Sequence, residues 1–162
     1  MTNNANVNDK NNDYYGNCRA IIIKDGRMVT MHRVKNGREF YVFPGGHKDN
    51  GENDYQCVTR EVMEEFGIEV KPIKTLYECR FNGLNQCYIL CEWISGDIHV
   101  TDGEEYHRMT EDNQYYPTSI DVSELSTVDL KPTSVRDALI EDINVDSTLN
   151  MAKFRVVEIN ED

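Results

Sequence analysis

A chain of 162 residues has room for one domain, and 39% hydrophobic residues suffice for a core once the polar ends are set aside. Its net charge of −12 and pI near 4.7 exclude a basic surface that would grip a nucleic acid polymer or an anionic membrane. A polyanionic ligand would have to be met through a bound cation and a few local basic residues. No basic-then-apolar leader opens the sequence and no run approaches the roughly 18 apolar residues of a membrane span, so a cytoplasmic location is expected.

Residues 1–13 contain six Asn and almost nothing apolar, which predicts a disordered tail ahead of a single domain over 14–162. Cys18 to Ile23 and Arg27 to Arg33 read as strands around the hairpin turn Lys24-Asp25-Gly26. Phe40 to Phe43 reads as a third strand. It runs into Pro44-Gly45-Gly46, where glycine permits backbone angles and close approaches that a side chain would prevent.

Residues 54 to 66 have helical length, with Val58, Val62 and Phe66 recurring as a buried stripe and Gly67 as a natural stop. Glu61, Glu64 and Glu65 share another face. Carboxylates three and four residues apart on a helix repel unless a cation sits among them, and a hard divalent ion that binds through carboxylates and substrate phosphates answers that need. Residues 46–68 carry two basic and six acidic side chains, so the segment itself contributes −4 of the net charge.

Beyond it, Ile73 to Phe81 and Gln86 to Ile94 flank Asn82-Gly83 as a second antiparallel pair. Residues 95–114 read as loop, and Tyr115 to Val122 as a further strand. Val135 to Ile143 reads as a helix entered through Pro132-Thr133-Ser134, with Ser134 as a candidate cap and Val135 and Leu139 facing inward. Phe154 to Ile159 is either an edge strand or a tail. Strands on both sides of a functional helix, followed by a closing helix, give an α/β layered domain with a mixed sheet.

Cys18, Cys57, Cys79, Cys87 and Cys91 fall at no metal-ligand spacing and are expected as core thiols, with Cys87 and Cys91 on one sheet face. There is no G-x-S-x-G elbow, Walker A loop or C-x-x-C pair, so serine hydrolase, P-loop and zinc readings lack support. His32, His47, His99 and His107 are scattered. His47, inside the acidic segment, is read as loop filling.

Gly46, Glu52, Arg60, Glu61, Val62, Glu64, Glu65, Gly67 and Ile68 fill every fixed position of G-x5-E-x7-R-E-U-x-E-E-x-G-U, where U is a bulky aliphatic residue. Chance odds for that match are on the order of 10⁻⁷. The segment resembles the box of the Nudix hydrolases, and Phe43-Pro44-Gly45 resembles its usual lead-in. The resemblance implies an α/β/α sandwich with a mixed central sheet over about residues 15–145, with the box as loop, helix and loop. It also implies a pyrophosphohydrolase, dependent on Mg²⁺ or Mn²⁺, that cleaves a nucleoside diphosphate derivative.

By the same resemblance Glu61 and Glu65 would be the principal metal ligands, with Glu64 and the Gly45 carbonyl as further ones. Glu52 would act near the metal or in a bridge to Arg60, which would orient carboxylates rather than touch substrate. The general base is open between a box glutamate (Glu61 or Glu64) and Glu104 or Glu105 of the later loop. Arg33 is a candidate for a substrate phosphate, and Tyr14, Tyr15, Phe40, Tyr41, Tyr115 and Tyr116 for stacking on a base. The alternatives are a sensor module that binds a nucleotide without cleaving it, and an isomerase on the same scaffold. A small-molecule nucleotide is the expected partner, with no membrane or nucleic acid polymer, and a homodimer is left open.

Overall fold

In the computed structural model, which describes residues 16–81, 83–102 and 108–159, hairpins built on left-handed turn residues start the sheet. β1 (Gly16–Lys24) turns into β2 (Arg27–Lys35) through Asp25 and Gly26, whose φ angles of 53° and 76° have the sign a two-residue type I′ turn demands. Asn36 and Gly37, at φ 51° and 79°, repeat the device between β2 and β3 (Arg38–Val42). The expected third strand therefore starts earlier than Phe40. The tail over 1–13, Tyr14, Tyr15, Glu104, Glu105 and His107 lie outside the described residues.

β5 (Glu69–Phe81) and β6 (Leu84–Ser95) pair antiparallel as expected, and β6 runs parallel to β1 with Gly16–Ile22 against Asn85–Cys91. β7 (Asn113–Asp121) lies antiparallel along β2. The strand order is β8-β3-β2-β1-β6-β5-β9, where β8 (Leu130–Lys131) and β9 (Arg155–Val156) are two-residue parallel additions. The ambiguous Phe154 to Ile159 segment thus contributes a short edge strand.

One edge of β1 is shared in a way that matters for function. Its C-terminal end pairs with β2, while Asn17–Arg19 pair with β4 (Gly45–His47), and the Ala20 N–H donates to the Pro44 carbonyl at 2.8 Å. The glycine loop is thereby stitched into the sheet by its main chain. β4 was not expected, because Gly-Gly-His offers no alternation of side chains.

Side-chain alternation along the central strands divides the core between two helices. Cys18, Ala20 and Ile22 face α1 (Asp54–Phe66) and pack with its Cys57, Val58, Val62 and Phe66. Ile21 faces α2 (Thr133–Val145) and packs with Val135, Ala138 and Leu139. This is an α/β/α sandwich around a mixed sheet. All five cysteines are buried free thiols, with Cys87 and Cys91 on the α1 face.

Ser134 is not the cap of α2. Pro132 is the N-cap and supplies no side-chain hydrogen bond, which leaves Ser134 inside the first turn. Docking rather than capping holds this helix, since Val135 and Leu139 are fully buried. No helix among the described residues is long and apolar enough to cross a membrane. Leu139→Ala should lower stability by about 2–5 kcal/mol, read as a lower urea midpoint at unchanged m. A loss under about 1 kcal/mol would show that α2 is not anchored through this residue.

Candidate active site

The start and stop of α1 are written locally. Asn53 accepts from the Gln56 N–H at 2.8 Å while the Gln56 side chain accepts from the Asn53 N–H at 3.0 Å, a reciprocal capping box. At the other end Gly67, at φ 72°, donates to the Met63 carbonyl at 3.0 Å. A side chain at Gly67 would strike the His99 ring. Between these ends the apolar stripe fixes the rotation of the helix, which sets Glu61 and Glu65 at its margin, only 9% and 8% exposed.

Carboxylates so nearly buried need partners, and Arg60 is one for Glu61. Its Nε donates to Glu52 Oε2 at 2.6 Å and its Nη2 to Glu52 Oε1 at 3.0 Å, a bidentate pair. Its Nη1 reaches both Glu61 Oε1 and Glu64 Oε2 at 3.1 Å, and Nη2 also donates to the His47 carbonyl at 3.0 Å. Asp49 approaches Nε at 3.3 Å. Hydrogen bonding from Arg60 holds the Glu52 carboxyl below the usual carboxylate range, and Glu52 in turn raises the Arg60 pKa further.

Glycine brings the loop against these carboxylates. The Gly45 N–H donates to Glu65 Oε1 at 2.9 Å, and Gly45 itself, at φ 137°, lies so close to the Cys18 carbonyl that a Cβ would collide with it. At Gly46 a Cβ would stand 2.8 Å from the Glu61 carboxyl carbon. Two box glutamates thus lie directly on the β4 backbone. The Gly45 carbonyl accepts from Arg19 Nη1 at 3.0 Å, and the same nitrogen reaches the Phe43 carbonyl at 3.2 Å.

Glu52, Arg60, Glu61, Glu64, Glu65 and Gly45 are therefore brought together. Glu52 commits both oxygens to Arg60 and accepts from the Asp49 N–H at 2.8 Å. Glu64 is the exposed member, with 49% of its side chain accessible. Arg33 is held on β7, donating to the Asn113 side chain at 2.5 Å and the Gln114 carbonyl at 3.2 Å, its guanidinium 3.8 Å from the centre of the Tyr115 ring. Phe40 flanks it at 5.7 Å, while Tyr41 and Tyr116 stack obliquely on His32. His47 serves through its main chain, with its side chain exposed.

Sequence reasoning overlooked four participants. Asp49 was legible as an acidic residue within the box loop, Asn53 and Gln56 as a capping pair three apart, and Arg19 as a lone charge in an apolar strand. Only the fold shows that Arg19 meets Gly45.

Because the folded Glu52 pKa is lowered, its stabilising effect is complete above the unfolded value of about 4.3 and is lost as pH falls through the lower folded value. Glu52→Gln should destabilise at pH 7 by about 1.5–3 kcal/mol, and the gap to the parent should close toward pH 3. A gap in melting temperature that stays constant across that range would contradict the Arg60 clamp.

The chain matches the family model for the NUDIX domain over residues 15–134. Its fold is similar to a NUDIX hydrolase from Nitrosomonas europaea at 16% identity and a TM-score of 0.64, covering 90% of this chain and 78% of that one. An ADP-ribose pyrophosphatase from Streptococcus suis is similar at 16% identity and TM-score 0.57, covering 88% and 97% respectively. A MutT protein from Methanosarcina mazei Go1 shows 19% identity and TM-score 0.59 over 82% and 94%. At such identities the structural likeness concerns the fold. Since the family match covers most of the chain and the box is complete, the protein belongs to the NUDIX domain family and is a Nudix hydrolase.

Proposed function

We propose that this chain is a pyrophosphohydrolase, dependent on Mg²⁺ or Mn²⁺, that cleaves the diphosphate linkage of a nucleoside diphosphate derivative by attack of an activated water. The observation that carries this reading is the charge balance on α1. Asp49, Glu52, Glu61 and Glu64 converge on Arg60, and Glu65 lies one turn from Glu61. Carboxylates outnumber that guanidinium, and a bound cation would complete the cluster. The donor set is all oxygen, which fits a hard divalent ion.

Glu61 and Glu65 would hold the ion, with Glu64 as a further ligand. The Gly45 carbonyl would add one more, since an oxygen that accepts from Arg19 retains a second lone pair. Glu52 is better read as the residue that positions Arg60. When bound, the metal supplies charge neutralisation at the diphosphate and easier ionisation of water. Arg60 meanwhile keeps the carboxylates in place, its planar fork holding several at once.

The base is open between a box glutamate, Glu61 or Glu64, and the loop glutamates Glu104 and Glu105. Support for the loop comes from the segment before it, which folds back on the end of α1. There the His99 N–H donates to the Phe66 carbonyl at 3.2 Å and the Thr101 hydroxyl to the Glu64 carbonyl. Beside Arg19 a cavity of about 70 Å³, lined by Phe43, Gln86, Tyr88 and Lys131 among others, offers a place for part of the substrate's organic half. The ADP-ribose pyrophosphatase among the structural neighbours makes nucleoside diphosphate sugars the first compounds to try.

Chromatographic detection of the phosphomonoester products over a panel of nucleotides, nucleotide sugars and dinucleoside polyphosphates should find at least one substrate, cleaved only with Mg²⁺ or Mn²⁺. Glu65→Gln, nearly isosteric, should fold normally and lose roughly 10²-fold or more in turnover. A panel left intact with either metal at alkaline pH would transfer the reading to a nucleotide-binding sensor. If Glu104 is the base, Glu104→Gln should depress kcat far more than KM while Glu105→Gln has little effect. Near-normal turnover in both variants would return the base to Glu61 or Glu64.

A further inference from the structure

At the first turn of α1, residues far apart in sequence bring thiols and a carboxylate together. Cys18 on β1 and Cys87 on β6 are register partners on neighbouring parallel strands, and the Cys87 thiol donates to Cys18 Sγ at 3.4 Å. The Cys18 thiol in turn donates to Asp54 Oδ1 of α1 at 3.4 Å. One ligand atom from each of the three lies within 4.8 Å of the others. Cys57, one turn along α1 from Asp54, is buried in the same core cluster as Cys18.

We propose that Cys18, Cys87 and Asp54 form a second metal site, distinct from the carboxylate cluster and suited to a borderline-soft divalent ion of the zinc class. Tetrahedral zinc, with bonds of about 2.3 Å to sulfur and about 2.0 Å to oxygen, places neighbouring sulfurs about 3.8 Å apart and sulfur and oxygen about 3.5 Å apart. The Cys18–Cys87 and Cys18–Asp54 separations, both 3.4 Å, match to within a few tenths of an ångström, and Cys87 and Asp54 lie within 4.8 Å of each other. Oxygen-only coordination suits Mg²⁺ at the box, whereas thiolate ligands select against it here. Asp54 precedes Glu61 by two helical turns, about 10 Å along the axis, so the two sites do not share ligands.

A second observation points to a ligand at this place. A cavity of about 220 Å³ opens beside the cluster, lined by Asn17, Lys48, Asp54, Glu78, Gln86 and Cys87 among others. Asn17 is 6% exposed, and its Oδ1 is buried without a hydrogen-bond partner. Three protein ligands leave the fourth tetrahedral position for a water from the cavity. Lys48, 3.1 Å from Asp54 Oδ1, opposes a cation, and its partly exposed chain would swing outward. Binding replaces the two thiol protons, which pass to solvent.

Occupancy would tie β1 and β6 to the first turn of α1. The Cys57 thiol also reaches the Gly46 carbonyl at 3.6 Å, so the glycine loop borders the same cluster.

Co²⁺ titration of the fully reduced, full-length protein tests the proposal, because thiolate ligation gives an intense near-ultraviolet charge-transfer band that carboxylate ligation does not. The expected result is a band saturating at one equivalent, displaced by Zn²⁺, absent in Cys18→Ala and Cys87→Ser, and retained in Cys79→Ala and Glu65→Gln. Asp54→Asn should weaken binding at least about tenfold, and Lys48→Met should tighten it. Should the cysteine variants fail to fold by circular dichroism, Asp54→Asn decides, and unchanged affinity there overturns the site. Absence of the band in the parent protein at several equivalents of Co²⁺, or its persistence in folded Cys18→Ala and Cys87→Ser, would overturn it equally.

Discussion

The Arg60 guanidinium is the constraint on which the site depends. At an effective dielectric near 20, two like charges about 4 Å apart repel by about 4 kcal/mol, and several carboxylates crowd this helix face. A planar fork with five donors meets Glu52, Glu61 and Glu64 in fixed directions and still reaches the His47 carbonyl. Lysine, a point charge on a flexible stem, could neutralise but not orient them. Arg60 thus converts mutual repulsion into a defined arrangement of oxygen atoms with negative charge left over for a metal.

That arrangement reaches the sheet through main-chain atoms. Glu65 accepts from the Gly45 N–H and Arg60 donates to the His47 carbonyl, so α1 is fastened to both ends of β4. β4 is in turn paired with β1, which sits at the centre of the sheet beside β6. Glycine at 45 and 46 is a steric requirement of this path, since a Cβ at either position would meet the Cys18 carbonyl or the Glu61 carboxylate. Each buried carboxylate is held by a group that belongs to the fold.

Features encoded within a few residues were legible in the sequence, and features made by distant pairing were not. The helix over Asp54–Phe66 follows from the Val58, Val62 and Phe66 stripe and the Gly67 stop, and its bounds agree with expectation. The Asp25-Gly26 hairpin was equally plain, because its turn chemistry is local. By contrast β4 and β8 are three and two residues long and owe their extended form to the partner strand, so no periodicity announces them. Ser134 misled because a hydroxyl before an apolar run is a common cap, whereas Pro132 starts α2 with its fixed φ. The cysteines show the limit most clearly. Cys18, Cys57 and Cys87 have no motif spacing, yet parallel pairing of β1 with β6 and the seating of α1 put their sulfurs in one cluster.

The central claim is that the carboxylates gathered by Arg60 hold a divalent cation, and binding of Mn²⁺ without any nucleotide tests it before any question of substrate arises. Electron paramagnetic resonance reads the free ion directly as the protein is titrated. The account predicts that the parent protein removes Mn²⁺ from solution and that the folded double variant Glu61→Gln/Glu65→Gln binds it at least about tenfold more weakly. Equal Mn²⁺ affinity in the two proteins would contradict it and place the metal elsewhere.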